Sequence, residues 1–268
     1  MPRFSEVAGG VYVLRHPVLD VNSTLIVGDG EALLVDTLST AGQGAELAAA
    51  VRRVTAVPYR AVNTHHHFDH CFGNASVEAT EVWGHVACAE RLAAVHLPTL
   101  ALEFPELAAG ILAADVRPPD RTLREEAVLD IGGRTVQLVH LGRGHTDDDV
   151  VVVVPDAAAV VAGDLVESAG PPSFEDGWTL DWPATTAALL EVIEGLVGSP
   201  TVVPGHGLVV GAEFVAEQHA ELARLAWLSR EGHADDRPAA EVAAVAPFGP
   251  DVALVAVRRA YADLDGRL

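Results

Sequence analysis

The chain has 268 residues, half of them hydrophobic, with 38 Asp and Glu against 17 basic residues and a formal net charge of −21. Such a charge repels phosphate backbones and argues against a nucleic-acid partner. Every basic residue is arginine, and the lack of lysine excludes Schiff-base chemistry, Walker-type phosphate loops and Ser-x-x-Lys acyl transfer.

No apolar run approaches the roughly 18 residues that a membrane helix needs, so a globular protein with no membrane partner is expected. Met1 to Glu6 carries an early acid and no apolar stretch of the export type, which makes a cytoplasmic location the expectation. Cys71 and Cys88 are too few for a disulfide framework.

In chain order, Val11 to Leu14, Asn22 to Val27 and Ala32 to Asp36 are apolar runs separated by turn-prone residues, as in a strand meander. Gln43 to Val54 has Leu47, Val51 and Val54 on one face and is predicted as a helix. Tyr59 to Val62 reads as a strand that runs into Asn63-Thr64-His65-His66-His67-Phe68-Asp69-His70. In an extended segment His65 and His67 face one way and His66 the other. A turn after Phe68 then re-aims Asp69 and His70, so the cluster suits a pair of ions better than one closed structural site.

Glu81 to Trp83 is a predicted strand and Ala87 to Val95 a predicted helix. The proline-interrupted stretch 97–121 reads as one or two helices beside the site. Val128 to Ile131, Arg134 to His140, Val150 to Val154 and Val160 to Ala162 are predicted strands. A loop from Glu167 to Trp182 then carries Phe174, Trp178 and Trp182, residues expected to wall a substrate pocket or, equally, to pin the loop to the core. A helix from Ala184 to Val197, a strand from Thr201 to Val203, a helix from Gly211 to Arg230 and another from Pro238 to Tyr261 complete the chain. Two strand-helix-strand halves without a long linker imply a single domain over 1–268, with C-terminal helices from about 211.

Three more ligand-type residues sit beside glycine-rich turns at strand ends: His145 in Gly142-Arg143-Gly144-His145, Asp164 in Gly163-Asp164-Leu165, and His206 in Gly205-His206-Gly207. With the cluster they make seven nitrogen and oxygen ligands, enough for two ions. Imidazole and carboxylate donors without thiolate favour zinc, with iron or manganese left open. Two such ions can hold a hydroxide and polarise a carbonyl oxygen, which is hydrolase chemistry.

His65-x-His67-x-Asp69-His70, His145, Asp164 and His206, preceded by Leu34-Val35-Asp36-Thr37, resemble the metallo-β-lactamase fold superfamily over roughly residues 10 to 210. The resemblance implies an α+β fold, a four-layer αββα sandwich. It also implies that His65, His67 and His145 hold the first Zn2+, that Asp69, His70 and His206 hold the second, and that Asp164 bridges them. Asp36 would brace the histidine loop, and Asp69 would take part in proton transfer.

Departures narrow the choice. The lysine that grips an antibiotic carboxylate in one β-lactamase subclass has no counterpart. The glutathione site of glyoxalase II uses a C-terminal helical domain with a lysine that this chain lacks. The tyrosine that follows the bridging aspartate in homoserine-lactone lactonases is also missing, since Leu165 to Ala169 contains none. What remains resembles the stand-alone zinc hydrolases, glyoxalase II-like or linked to quinoprotein systems. The expected reaction is attack on an ester, thioester, lactone or amide carbonyl of a small molecule. An iron-dependent redox enzyme of the persulfide dioxygenase kind and a β-lactamase are the alternatives; subunit number is left open, homo-oligomer included.

Overall fold

In the computed structural model, which describes residues 3–268, two β-sheets pack face to face with helices over both outer surfaces. Strands β1 (Ser5–Ala8), β2 (Val11–Arg15), β3 (Asn22–Val27) and β4 (Ala32–Val35) form an antiparallel meander. Helix α1 (Ala41–Val54) then crosses to β5 (Tyr59–Val62), parallel to β4. The one-turn helix α2 (Phe68–Cys71), β6 (Val82–His85), helices α3 (Val86–Ala93), α4 (Leu97–Glu103) and α5 (Ala108–Leu112), and β7 (Arg121–Leu123) complete a seven-stranded sheet ordered β1 to β7.

The second sheet repeats the plan. Strands β8 (Glu126–Ile131), β9 (Arg134–Val139), β10 (Val151–Val154) and β11 (Ala159–Glu167) run antiparallel, and helix α6 (Trp182–Glu194) crosses to β12 (Thr201–His206), parallel to β11. Helices α7 (Ala212–Ala234), α8 (Ala239–Ala243) and α9 (Pro250–Leu264) follow.

Strand alternation builds the layers. Val11, Val13, Leu33 and Val35 point between the sheets, where they meet Val136, Leu138, Val152 and Val154. Leu14, Ala32 and Leu34 point the other way, onto Leu47, Ala50 and Val51 of α1. Val151 and Val153 pack outward against α6, α7 and α9 through Leu189, Leu222 and Val257. The result is an αββα sandwich with one apolar layer between the sheets and one beneath each helical cover. Helix α1 begins where Thr40 Oγ1 accepts the Gln43 amide at 3.3 Å, while Gln43 Oε1 accepts the Ser39 amide at 3.0 Å.

Three features depart from the sequence reading. Strands β1 and β7 were not foreseen: they span 4 and 3 residues and carry too little apolar content to stand out. The region Pro238 to Tyr261 holds two helices instead of one, because Pro247, Gly249 and Pro250 interrupt it. Strands β11 and β12 run on to Glu167 and His206, so Asp164 and His206 lie on strands rather than on loops after them. That extension depends on parallel pairing, with an irregularity at Gly163, whose φ is +55°. No helix among the described residues is long and apolar enough to cross a membrane.

Candidate metal centre

The carboxyl end of β5 opens into Asn63 to His67, and α2 turns the chain back at once. His65 and His67 enter one group of ligand atoms while His66 is held aside, its Nδ1 lying 3.0 Å from Asp148 Oδ1. Helix α2 carries Asp69 and His70 into a second group. The other sheet delivers His145 from the segment between β9 and β10, Asp164 from β11 and His206 from the end of β12. All seven residues expected as ligands converge. His65, His67, His145 and Asp164 form one group and Asp69, His70 and His206 another, with ligand atoms in each within 4.8 Å of one another.

The contacts are close. His145 Nε2 lies 2.9 Å from His67 Nδ1 and 3.4 Å from Asp164 Oδ2, and His65 Nε2 lies 3.8 Å from the same oxygen. His70 Nε2 is 3.3 Å from Asp164 Oδ1, and His206 Nε2 is 3.3 Å from Asp69 Oδ2 and 3.4 Å from Asp164 Oδ2. Asp164 therefore stands between the two groups.

Each imidazole turns one nitrogen inward and has the other held from outside. Thr64 Oγ1 lies 3.1 Å from His65 Nδ1, Asp176 Oδ2 3.2 Å from His67 Nε2, and Asp36 Oδ2 2.8 Å from His70 Nδ1. The Ser173 carbonyl stands 3.2 Å from His145 Nδ1 and the Leu19 carbonyl 2.7 Å from His206 Nδ1. Outer acceptors of this kind fix the tautomer and aim the free nitrogen at a cation. At the centre, His65 Nε2 and Asp164 Oδ1 are buried with no hydrogen-bond partner. The His70 ring lies near that oxygen, but off the line that a hydrogen bond requires. Orphaned nitrogen and oxygen atoms facing one small space fit a metal pair.

The surrounding chain is shaped for this. Asp36 follows β4 in the left-handed region, φ 60°, and its carboxylate also accepts the Thr64 amide and hydroxyl, each at 2.8 Å. It braces both ends of the histidine loop. Gly205 admits Asp164 from β11: a Cβ there would come within 1.6 Å of Asp164 Oδ1.

Protonation follows from burial and from the carboxylates. Burial, with the neighbouring charge of His70, holds His65 well below the usual histidine range, and burial takes His145 down to about 4. Burial opposes charge on His70 and His206 too. There the carboxylates of Asp164 and Asp69 outweigh it and lift both rings well above the usual range. For Asp69 burial works upward, but the His70 and His206 charges prevail and draw it down to about 2. Burial, then the Asp164 charge, pushes Glu167 well above the usual carboxyl range.

A cleft of about 940 Å³ opens over the cluster. Its apolar wall is Leu19, Phe68, Phe72, Val95, Leu100 and Phe104, contributed largely by the helical insertion. Besides Asp69 and Asp164, its acidic side chains are Glu103, Glu167, Glu175 and Asp176, and no arginine among the described residues lines it.

The three aromatic residues expected at the pocket do not line it. Phe174 and Trp182 are core residues with 1% and 0% of their surface exposed, packed among α6, α7 and α9. The apolar underside of those helices outcompetes the cleft for them. Trp182 supports the site from behind, its ring 5.7 Å from that of His145. Trp178 lies under the Arg143 guanidinium, 3.8 Å from ring centroid to Cζ. Sequence reasoning missed Asp176, Glu167 and the carbonyls of Leu19 and Ser173. None of these left a local signal, since strand alternation would point Glu167 away from Asp164.

A family model described as the metallo-beta-lactamase superfamily matches residues 16–206. Solved structures of the same shape include a metallo-beta-lactamase from Pontibacter korlensis, 20% identical, TM-score 0.65, covering 83% of this chain and 99% of that one. The DIM-1 metallo-beta-lactamase is 19% identical, TM-score 0.63, over 83% of this chain and 97% of its own. FIM-1 from Pseudomonas aeruginosa, in a mono-zinc form, is 21% identical, TM-score 0.62, over 83% and 94%.

Proposed function

The chain belongs to the metallo-beta-lactamase superfamily, and from that premise we propose that it is a dinuclear-metal hydrolase, zinc-dependent, acting on an ester, thioester, lactone or amide carbonyl of a small molecule. The observation that carries this reading is the set of five inward imidazole nitrogens and the shared Asp164 carboxylate, two of whose atoms are orphaned in the interior. His65, His67 and His145 would hold one ion, Asp69, His70 and His206 the other, with Asp164 between them. Such a pair, when bound, supplies a water of pKa near 7 and polarises a carbonyl oxygen.

The chain's own residues do the rest. The outer acceptors Asp36, Asp176, Thr64 and the two carbonyls engage the outer ring nitrogens and leave the inner ones to face a cation. Asp69 faces the cleft and its carboxylate touches the His206 ring, so it is the group placed to take up a proton and return it to a departing oxygen, nitrogen or sulfur. The wall of Leu100, Phe104 and Phe68 excludes water from the acyl portion of a substrate.

The lining also weighs against a β-lactam as the substrate. Such a compound presents a carboxylate, and the cleft offers it acidic side chains with no arginine to receive it. Hydrolysis of a chromogenic ester, thioester, lactone and cephalosporin panel, with and without chelator, tests the proposal together with elemental analysis. Two ions per chain and chelator-sensitive cleavage of an uncharged acyl substrate are expected. A folded preparation that takes up no metal, or whose hydrolysis ignores the chelator, would end it.

A further inference from the structure

Beyond the seven residues already placed, one buried acid points at the same space. Glu167 closes β11, three residues past Asp164, and is 9% exposed. Strand alternation alone would not bring it beside Asp164. The irregularity between Gly163 and Glu167 does so, setting Glu167 opposite His206 of β12. Its backbone is fixed by the Gln218 side chain, which accepts the Glu167 amide at 3.0 Å and donates to the Leu165 carbonyl at 2.8 Å. Gln218 thereby spends both of its polar atoms on backbone and leaves the Glu167 carboxylate to the cleft that it lines.

A Glu167 oxygen, an Asp164 oxygen and a His206 nitrogen lie within 4.8 Å of one another. Two carboxylates in contact in a buried place repel unless a proton or a cation lies between them. His206 is shared with the group around Asp69 and His70, and Asp164 Oδ1 lies 3.3 Å from His70 Nε2.

Resting on the dinuclear reading above, we infer that Glu167 is an additional ligand of the second ion, beside Asp69, His70, His206 and Asp164. The two positions then differ in chemistry. The first offers three imidazoles and one carboxylate. The second offers two imidazoles and three carboxylates, an oxygen-rich shell that accepts a harder ion such as Mn2+ more readily. Three carboxylates set against two divalent cations also leave little uncompensated charge in the interior.

The test uses the full chain stripped of metal and titrated with Zn2+ or Mn2+ by competition with a chromophoric chelator. Glu167→Gln should weaken one of the two ions at least about tenfold, more for Mn2+ than for Zn2+, and leave the other unchanged. Glu175→Gln, at an exposed acid on the rim, should shift neither affinity. Melting temperature separates a lost ligand from a damaged fold. Metal-free Glu167→Gln should melt no lower than the metal-free parent, and its rise in melting temperature on adding metal should be the smaller. Glu167→Asp, whose carboxylate is one methylene short, should weaken the second ion to a lesser extent. Unchanged second-ion affinity in Glu167→Gln, or an equal fall for both ions, overturns the inference and leaves the dinuclear reading standing. A parent chain that takes up one ion or none removes the dinuclear reading itself.

Discussion

The two sheets supply the candidate centre in opposite ways. The seven-stranded sheet gives four ligands from one six-residue stretch, His65 to His70, whose geometry is set by a strand end and a one-turn helix. The five-stranded sheet gives three, His145, Asp164 and His206, from three places up to 61 residues apart in sequence (145 to 206). Ligands in the first set move together, so one outer residue, Asp36, can brace them. Those in the second are held one at a time, by Ser173, by the Gly205 gap and by Leu19. Local chain geometry can aim a cluster, whereas separated residues are aimed only by the fold.

The sharpest way to break this comparison is at Asp164, the residue both groups share. Asp164→Ala should lower metal content from two ions to at most one and cut turnover by roughly 10³-fold, several kcal/mol of transition-state stabilisation; elemental analysis and steady-state kinetics read both. Asp36→Ala tests the braced loop. Loss of the acceptor for His70 Nδ1 and for Thr64 should weaken the second ion by about 10- to 100-fold, with the first ion less affected, measured by chelator competition.

Acid should separate the two ion positions as well. His70 and His206 carry raised pKa values and must lose protons before binding a cation, while His65 and His145, the latter at about 4, are already neutral. As pH falls the protons on His70 and His206 become harder to expel, so affinity at the second position should fall more steeply with acid than affinity at the first. Metal content measured at fixed free Zn2+ should pass from two ions toward one. Parallel loss at both positions would contradict the asymmetry.

Two smaller effects compare the sides of the cleft. Phe104→Ala removes part of the apolar wall and should raise KM about 10-fold for a substrate with an apolar acyl chain, with kcat nearly unchanged. Trp178→Ala should change KM by less than about twofold, because Trp178 touches Arg143 outside the cleft, and should cost about 1 kcal/mol of stability with the lost stacking. A large KM effect from Trp178 and none from Phe104 would return the aromatic loop to the substrate.

The sequence by itself determined the candidate ligands and the layered sandwich, because both depend on short-range rules. Alternation along the chain after β5 separates His66 from His65 and His67, period-2 apolar strands require a cover on each face, and Leu47 and Val51 mark the helix that supplies one. Tertiary structure alone decided the outer acceptors Asp176 and Leu19, the inclusion of Glu167, and the burial of Phe174 and Trp182. Each of these is a contact between distant parts of the chain. A tryptophan on a proline-rich loop has the same sequence signature whether it faces a cleft or a core. The apolar underside of α6, α7 and α9, formed only when those helices meet β11, is what drew Trp182 and Phe174 inward.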